Sequence, residues 1–565
     1  MRQLMVSVCV LVCFGGMLMG SHEVTEIARK FVSEHEARIK PLEIEAGIAW
    51  WEANTSGKSE DFARKEAAQN RIDKALGDKN RFAVLKQLSG KIPEIDDPGM
   101  RRCVQLLYLQ YLEKQANPEI LKKIVSISNK VEKNFNTFRA NVDGKDLSEN
   151  EVRSVLKNST DSIRRKQVWE ASKNVGKLLE SDLKELIKLR NEAAKSIGFT
   201  SFHALQLHLN EQNGEDLLRL FDELDKLTKG PFFKAKAQID HELAKRCKVP
   251  VHELFPWHYH DPFFQESPAI FPSDLDSPFR KADILAICRD FYKGIGLPVD
   301  KVLARSDLYE KPGKSPHAFC TDIDREGDVR VLANILPNEY WASTMLHELG
   351  HAVYSSLNMS PDMPYPLRGE AHILTTEGIA MLFERFSRNS AFLEKMGVKL
   401  EDSAGFQEAA SRSLRYRLLI FSRWCQVMLR FEKAMYENPD ADLNSLWWDL
   451  VEKYQGLKRP PGRNAPDYAT KIHIVSAPVY YHNYMMGELF ASQVHHALSR
   501  ELFPGKSPSE VIYCNDERVG KYFREKIFSI GRKLSWNELI KSATGKYLEA
   551  DSFASDFEEI KSAFK

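Results

Sequence analysis

Apolar side chains recur at three- and four-residue intervals, with Lys and Glu between them, through residues 23–50, 59–90, 100–135, 148–172, 174–196 and 214–246. That spacing gathers the apolar positions on one helix face and leaves the charged ones on the other. It predicts a mainly α-helical chain with breaks at Gly230-Pro231, Pro256, Pro262 and the loop Lys458-Arg-Pro-Pro-Gly462. One region changes period. Residues 316–323 and 328–335 read as strands around the turn Arg325-Glu-Gly-Asp328, so a small hairpin is expected there. An edge strand of this kind can hold a peptide backbone by main-chain hydrogen bonds, or it can be plain structure; spacing does not choose. With no internal repeat and no long linker, residues 21–565 are expected to form a single helical domain.

The first 20 residues break the amphipathic pattern. Met1-Arg2 precedes an apolar run from Leu4 to Gly20, followed by the polar Ser21-His22-Glu23. This predicts a signal peptide and a secreted, periplasmic or extracellular protein, with an uncleaved N-terminal anchor as the alternative. No second apolar run approaches a bilayer span, so no further stable membrane insertion is expected. Lys+Arg 80 against Asp+Glu 79 leaves a formal charge of +1, interspersed along the chain, which gives nucleic acid no basic field to bind. Six cysteines remain beyond residue 20, without a metal-binding spacing, and read as small buried apolar residues.

Chemistry concentrates at His347-Glu348-Leu349-Gly350-His351, an HExxH. Histidines four apart on a helix project from one face a turn apart, so both can reach one metal ion. Glu348 lies beside that face, placed to take a proton from a metal-bound water. Met345, Leu346, Leu349, Ala352 and Val353 supply apolar packing around the motif. A catalytic zinc needs a third protein ligand and an open position for water. Glu377 stands at the start of an apolar stretch that Thr375 or Thr376 could cap, with Glu370, Glu384 and His372 as competitors.

The HELGH segment followed by Leu367-Arg-Gly-Glu-Ala-His-Ile-Leu-Thr-Thr-Glu377-Gly resembles the angiotensin-converting-enzyme family of zinc peptidases. So does Lys471-Ile-His473, followed by Tyr481-His-Asn-Tyr484, and so does His317-Ala318 in the predicted hairpin. The resemblance implies a large helical ellipsoid of zincin type, with two lobes around a deep channel and N-terminal helices as a lid. It implies Zn2+ on His347, His351 and Glu377, with Glu348 as proton carrier and His473 and Tyr484 as transition-state donors. His317 and Ala318 would align the peptide, and Lys471 and Tyr481 would capture its C-terminal carboxylate. Lys471 and His473 are expected to alternate in an extended stretch.

The implied function is release of C-terminal dipeptides from short peptides. Three departures qualify the match. Trp257-His-Tyr259 occupies the stretch where the family carries a glutamine for that carboxylate, so no third contact is expected. His482-Asn483 replaces an arginine associated with chloride, and Met381 replaces an acidic residue supporting the metal. The alternatives are a thimet-type oligopeptidase, whose glycine-rich tyrosine loop is missing here, and an inactive peptide-binding or receptor module on the same fold.

Overall fold

The computed structural model describes residues 21–268, 270 and 274–557; the expected signal peptide lies outside the described residues. Helices dominate, as the periodicity predicts. At the N-terminus stand α1 (Ser21–Ser56), α2 (Ser59–Leu76), α3 (Lys79–Ser89) and α4 (Pro98–Leu112). They bury a cluster of their own, in which Phe31, Val32 and Ile39 meet Leu85, Val104, Leu107 and Tyr111. The predicted stretch 59–90 is divided at Gly77, where Asp78 caps α3 by accepting from the Asn80 and Arg81 N–H groups. The stretch 100–135 is likewise divided. Asn117 caps α5 (Pro118–Thr137), with Pro118 in the first turn, where its missing N–H costs nothing.

Next comes a hairpin absent from the sequence-based expectation, β1 (Ala140–Val142) paired antiparallel with β2 (Lys145–Leu147). Its turn is Asp143-Gly144, both at positive φ (56° and 78°), a dipeptide that favours such turns and was available in the sequence. The predicted boundary at residue 173 does not exist. Helix α6 (Glu149–Asn158) ends early, and Asp161 caps an unbroken α7 (Ser162–Ser196). Nor does Gly230-Pro231 break its helix. Residues Gly214–Cys247 form one element, α8, with Pro231 inside. A mid-helix proline costs ~3 kcal/mol. Buried Phe221, Leu224, Phe232, Ala235 and Ile239 on either side of it anchor both halves against the core.

The predicted hairpin is present, as β3 (Phe319–Asp322) antiparallel to β4 (Val329–Leu332), in the register Phe319↔Leu332 to Asp322↔Val329. It leads into α9 (Glu339–Tyr354), which carries the HExxH and is capped by Asn338. Helix α10 (Ile373–Glu384) follows, and α11 (Ser403–Glu437) and α12 (His482–Leu502) complete the frame of the site. The cap of α10 is His372, not Thr375 or Thr376, so Glu377 lies a full turn inside the helix. All six cysteines in the described residues are free thiols, four of them buried. Among the described residues no helix is long and apolar enough to cross a membrane.

Glycines set how closely α9, α10 and α12 approach. A Cβ at Gly350 would lie 2.8 Å from Ala380 Cα. One at Gly378 would lie 2.7 Å from the Phe490 ring and 2.8 Å from the Gly487 carbonyl oxygen. By contrast, Gly230 faces open space within α8. Gly378→Ala is therefore expected to cost ~1–3 kcal/mol by overpacking, and Gly230→Ala to gain roughly 0.5–1 kcal/mol. Thermal unfolding of the two variants should shift in opposite directions.

Candidate active site

Helix α9 presents His347 and His351 one turn apart, and α10 crosses it with Glu377 facing both. The two Nε2 atoms are 3.1 Å apart. Glu377 Oε2 stands 3.6 Å from the first and 3.9 Å from the second. One donor atom from each residue falls within 4.8 Å of the other two, and no other such group occurs among the described residues.

The competitors for the third position do other things. His372 caps α10, and Glu370 faces a cavity. Glu384 stands behind His347, with Oε2 2.8 Å from Nδ1, while its other oxygen accepts from Arg417 of α11 at 2.8 Å. Arg417 also lies 3.8 Å from Glu488 of α12, which pairs with Arg385 at 2.7 Å. Thr376, read from sequence as a cap, holds His351 Nδ1 through its hydroxyl at 2.7 Å. The carboxylate missing at Met381 is thus supplied one turn later, by Glu384. Its position seven residues after Glu377 puts both on one face of α10, a spacing that could have marked it.

Burial and charge set the protonation states. Burial pulls His347 down, but Glu384, Glu348 and Glu377 outweigh it and raise the imidazole to about 9. Burial, with His347 beside it, holds His351 well below its usual value. Glu384 resists burial because Arg417 and His347 keep it ionised. Glu348 is raised to about 7, chiefly by burial, although the Cys320 N–H of β3 donates to it. Upstream of that strand, His317 is exposed and Ala318 half-buried. Among the described residues no hydrogen bond ties either to the metal-binding cluster.

The Lys471–His473 segment is not extended. It joins a 3-10 turn, Asp467–Thr470, to a single helical turn, His473–Ser476. Lys471 Nζ donates to Gln265 Oε1 at 2.6 Å and lies over the Tyr481 ring, 5.1 Å from its centroid. A glutamine thus stands beside Lys471, six residues beyond Tyr259. Asp261 shapes the turn that delivers it, accepting from the N–H groups of Phe263, Gln265 and Glu266. Among the described residues Lys471 makes no ion pair, and burial lowers it to about 8. From there a row of rings runs toward the metal-binding cluster, with His473 to Tyr481 at 5.1 Å and Tyr481 to Tyr484 at 5.5 Å. Tyr484 is raised by burial and then by the charge of Glu377. His473 Nδ1 is buried without a partner. His482 and Asn483 turn inward onto Gln212 at 2.8 and 2.7 Å.

The donor set fits zinc. Two imidazoles turn Nε2 toward each other and Glu377, with Nδ1 engaged behind them, and one carboxylate oxygen completes a three-protein-ligand arrangement. Helical frame and donor set together define the class as helical metallopeptidases. Comparison with known proteins narrows it. Residues 22–235 match the family model for angiotensin-converting enzyme, and residues 303–559 match that for Peptidase family M3. Angiotensin-converting enzyme of Oryctolagus cuniculus is 22% identical over 570 residues, 93% of this chain and 42% of that protein. The Theromyzon tessulatum enzyme is 23% identical over 271 residues, 45% of this chain and 42% of its own. That of Mesocricetus auratus is 25% identical over 280 residues, 47% and 20% respectively. The matches thus span less than half the length of these relatives. The chain is thus similar to the angiotensin-converting-enzyme family over its first part and to Peptidase family M3 over its second.

Removing the carboxylate behind His347 should loosen the metal without touching a ligand. Glu384→Gln is expected to weaken zinc binding ~10–100-fold, measured by competition with a chromogenic chelator. Unchanged affinity would make Glu384 merely structural.

Proposed function

We propose that the protein is an exported zinc peptidase that removes dipeptides from the free C-terminus of short peptides. The observation that carries this reading is a buried, unpaired Lys471 beside Gln265 and Tyr481, joined by a row of rings to the cluster of His347, His351 and Glu377. A buried ammonium without a carboxylate partner is costly, and a substrate's terminal carboxylate would neutralise it.

Zinc bound by His347, His351 and Glu377 would acidify a water and polarise the scissile carbonyl. The remaining steps belong to the chain's own side chains. Glu348, poised near neutrality, takes the water's proton and passes it to the leaving amine. Tyr484 and His473 donate hydrogen bonds to oxygen as it gains charge, and the unpartnered His473 ring nitrogen supports that role. The open edge of β3, entered through His317 and Ala318, aligns the peptide backbone. Export rests on the N-terminal apolar run, and N-terminal sequencing of protein recovered outside the cytoplasm tests it.

A second reading, a zinc oligopeptidase indifferent to the C-terminus, gains from the match of residues 303–559 to Peptidase family M3. The carboxylate pocket separates the two. Amidating the C-terminus of a short peptide should lower kcat/KM by roughly tenfold or more, the worth of a charge-assisted hydrogen bond. Equal rates would favour the oligopeptidase. Glu348→Gln should abolish hydrolysis while zinc content stays at one per chain; residual full activity would overturn the mechanism.

The pH dependence follows from Lys471. Below about 8 it is cationic and holds a carboxylate; above, it is neutral and does not. For the free-carboxylate peptide kcat/KM should fall as pH rises through that value, relative to the amidated peptide.

A further inference from the structure

Between α1, α4 and the start of α10 lies a cavity of about 580 Å3. It adjoins the metal-binding cluster through two of its lining residues. Thr376 holds His351, and the Tyr480 ring packs 5.2 Å from that of Tyr484. The volume suits several peptide residues. Its walls are charged, with Arg325, Arg532, Glu43 and Glu370 among them.

Glu113 and Glu211 line it too, and the two arginines are unequally matched. Arg325 is satisfied, 3.0 Å from Glu43 and stacked over the Tyr365 ring. Arg532 is held by its backbone alone. Its N–H donates to the Leu367 carbonyl, and its own carbonyl accepts from Arg102. The Arg532 guanidinium makes no ion pair among the described residues, and its Nε is buried without a hydrogen-bond partner. Burial lowers it to about 10, followed by the charges of Arg325 and Arg102, which act ahead of Glu211 and Glu370. A lysine so placed could shed its proton; a guanidinium does not. Glu211, which also lines the cavity, is paired with Arg102, and Arg532 is left without an ion-paired carboxylate among the described residues.

We propose that this cavity receives the residues on the amino side of the scissile bond, and that Arg532 selects a carboxylate side chain among them. The inference rests on the peptidase reading above and adds a substrate class to it, peptides acidic upstream of the released dipeptide. The planar fork of Arg532 suits a carboxylate, which would bind in two parallel hydrogen bonds. Glu370 is the internal competitor, half-buried and without an ion pair among the described residues.

The test uses full-length enzyme and peptides sharing one C-terminal dipeptide, with Glu, Gln or Lys placed in turn at each upstream position. At the position that meets Arg532, kcat/KM for Glu should exceed Gln by about tenfold or more, with Lys lowest. Arg532→Gln should erase that difference. Glu370→Gln, which removes the competing carboxylate, should widen it. Equal rates for Glu and Gln, a preference for Lys, or a preference that survives Arg532→Gln would overturn the subsite. Calorimetric affinities of the same peptides for Glu348→Gln read the preference without turnover. Absence of cleavage would thus count against the peptidase reading, and absence of an affinity difference against the subsite.

Discussion

Two imidazoles and three carboxylates, Glu348, Glu377 and Glu384, are crowded between α9 and α10, largely out of water. Charges so placed are tolerable only when each has a counter-charge, and most features of the surrounding frame supply one. Arg417 from α11 neutralises Glu384, Glu384 orients His347, and Arg385 neutralises Glu488 on α12. What the protein leaves uncompensated is the inward face, where two ring nitrogens and a carboxylate oxygen converge. A divalent cation is the chemical complement of that face.

Close approach of the helices makes this geometry possible. Without side chains at Gly350, Gly378 and Gly487, α10 settles onto both neighbours, and the donors meet within coordination reach. The same stacking puts Thr376 and Glu384 on opposite sides of the cluster, each holding the outer nitrogen of one imidazole. Orientation and affinity thus come from residues that never touch the ion.

Substrate recognition follows a similar economy. Lys471 and Arg532 are cations set in different parts of the interior, and neither has an ion pair among the described residues. Each is costly in isolation, and a ligand carboxylate would relieve each. The row of rings from His473 through Tyr481 to Tyr484 runs from the first of these toward the metal-binding cluster.

The local code was legible in the chain itself. Helical periodicity gave the class of fold, and the Arg325-Glu-Gly-Asp328 turn gave the hairpin. The i, i+4 histidines gave one face of the cluster, because these features depend only on neighbours within a turn or a hairpin. Continuity through Pro231 was not legible, since buried side chains from distant elements outweigh a local breaker. The split of 59–90 at Gly77 could have been read, because its cap is local. Four features belong to tertiary structure alone: Glu384 behind His347, Arg417 behind Glu384, Gln265 beside Lys471, and Arg532 in the cavity wall. Each joins residues dozens to hundreds of positions apart, and sequence spacing carries no distance for such pairs. Only the packed helices fix which charges are answered within the protein and which await a ligand.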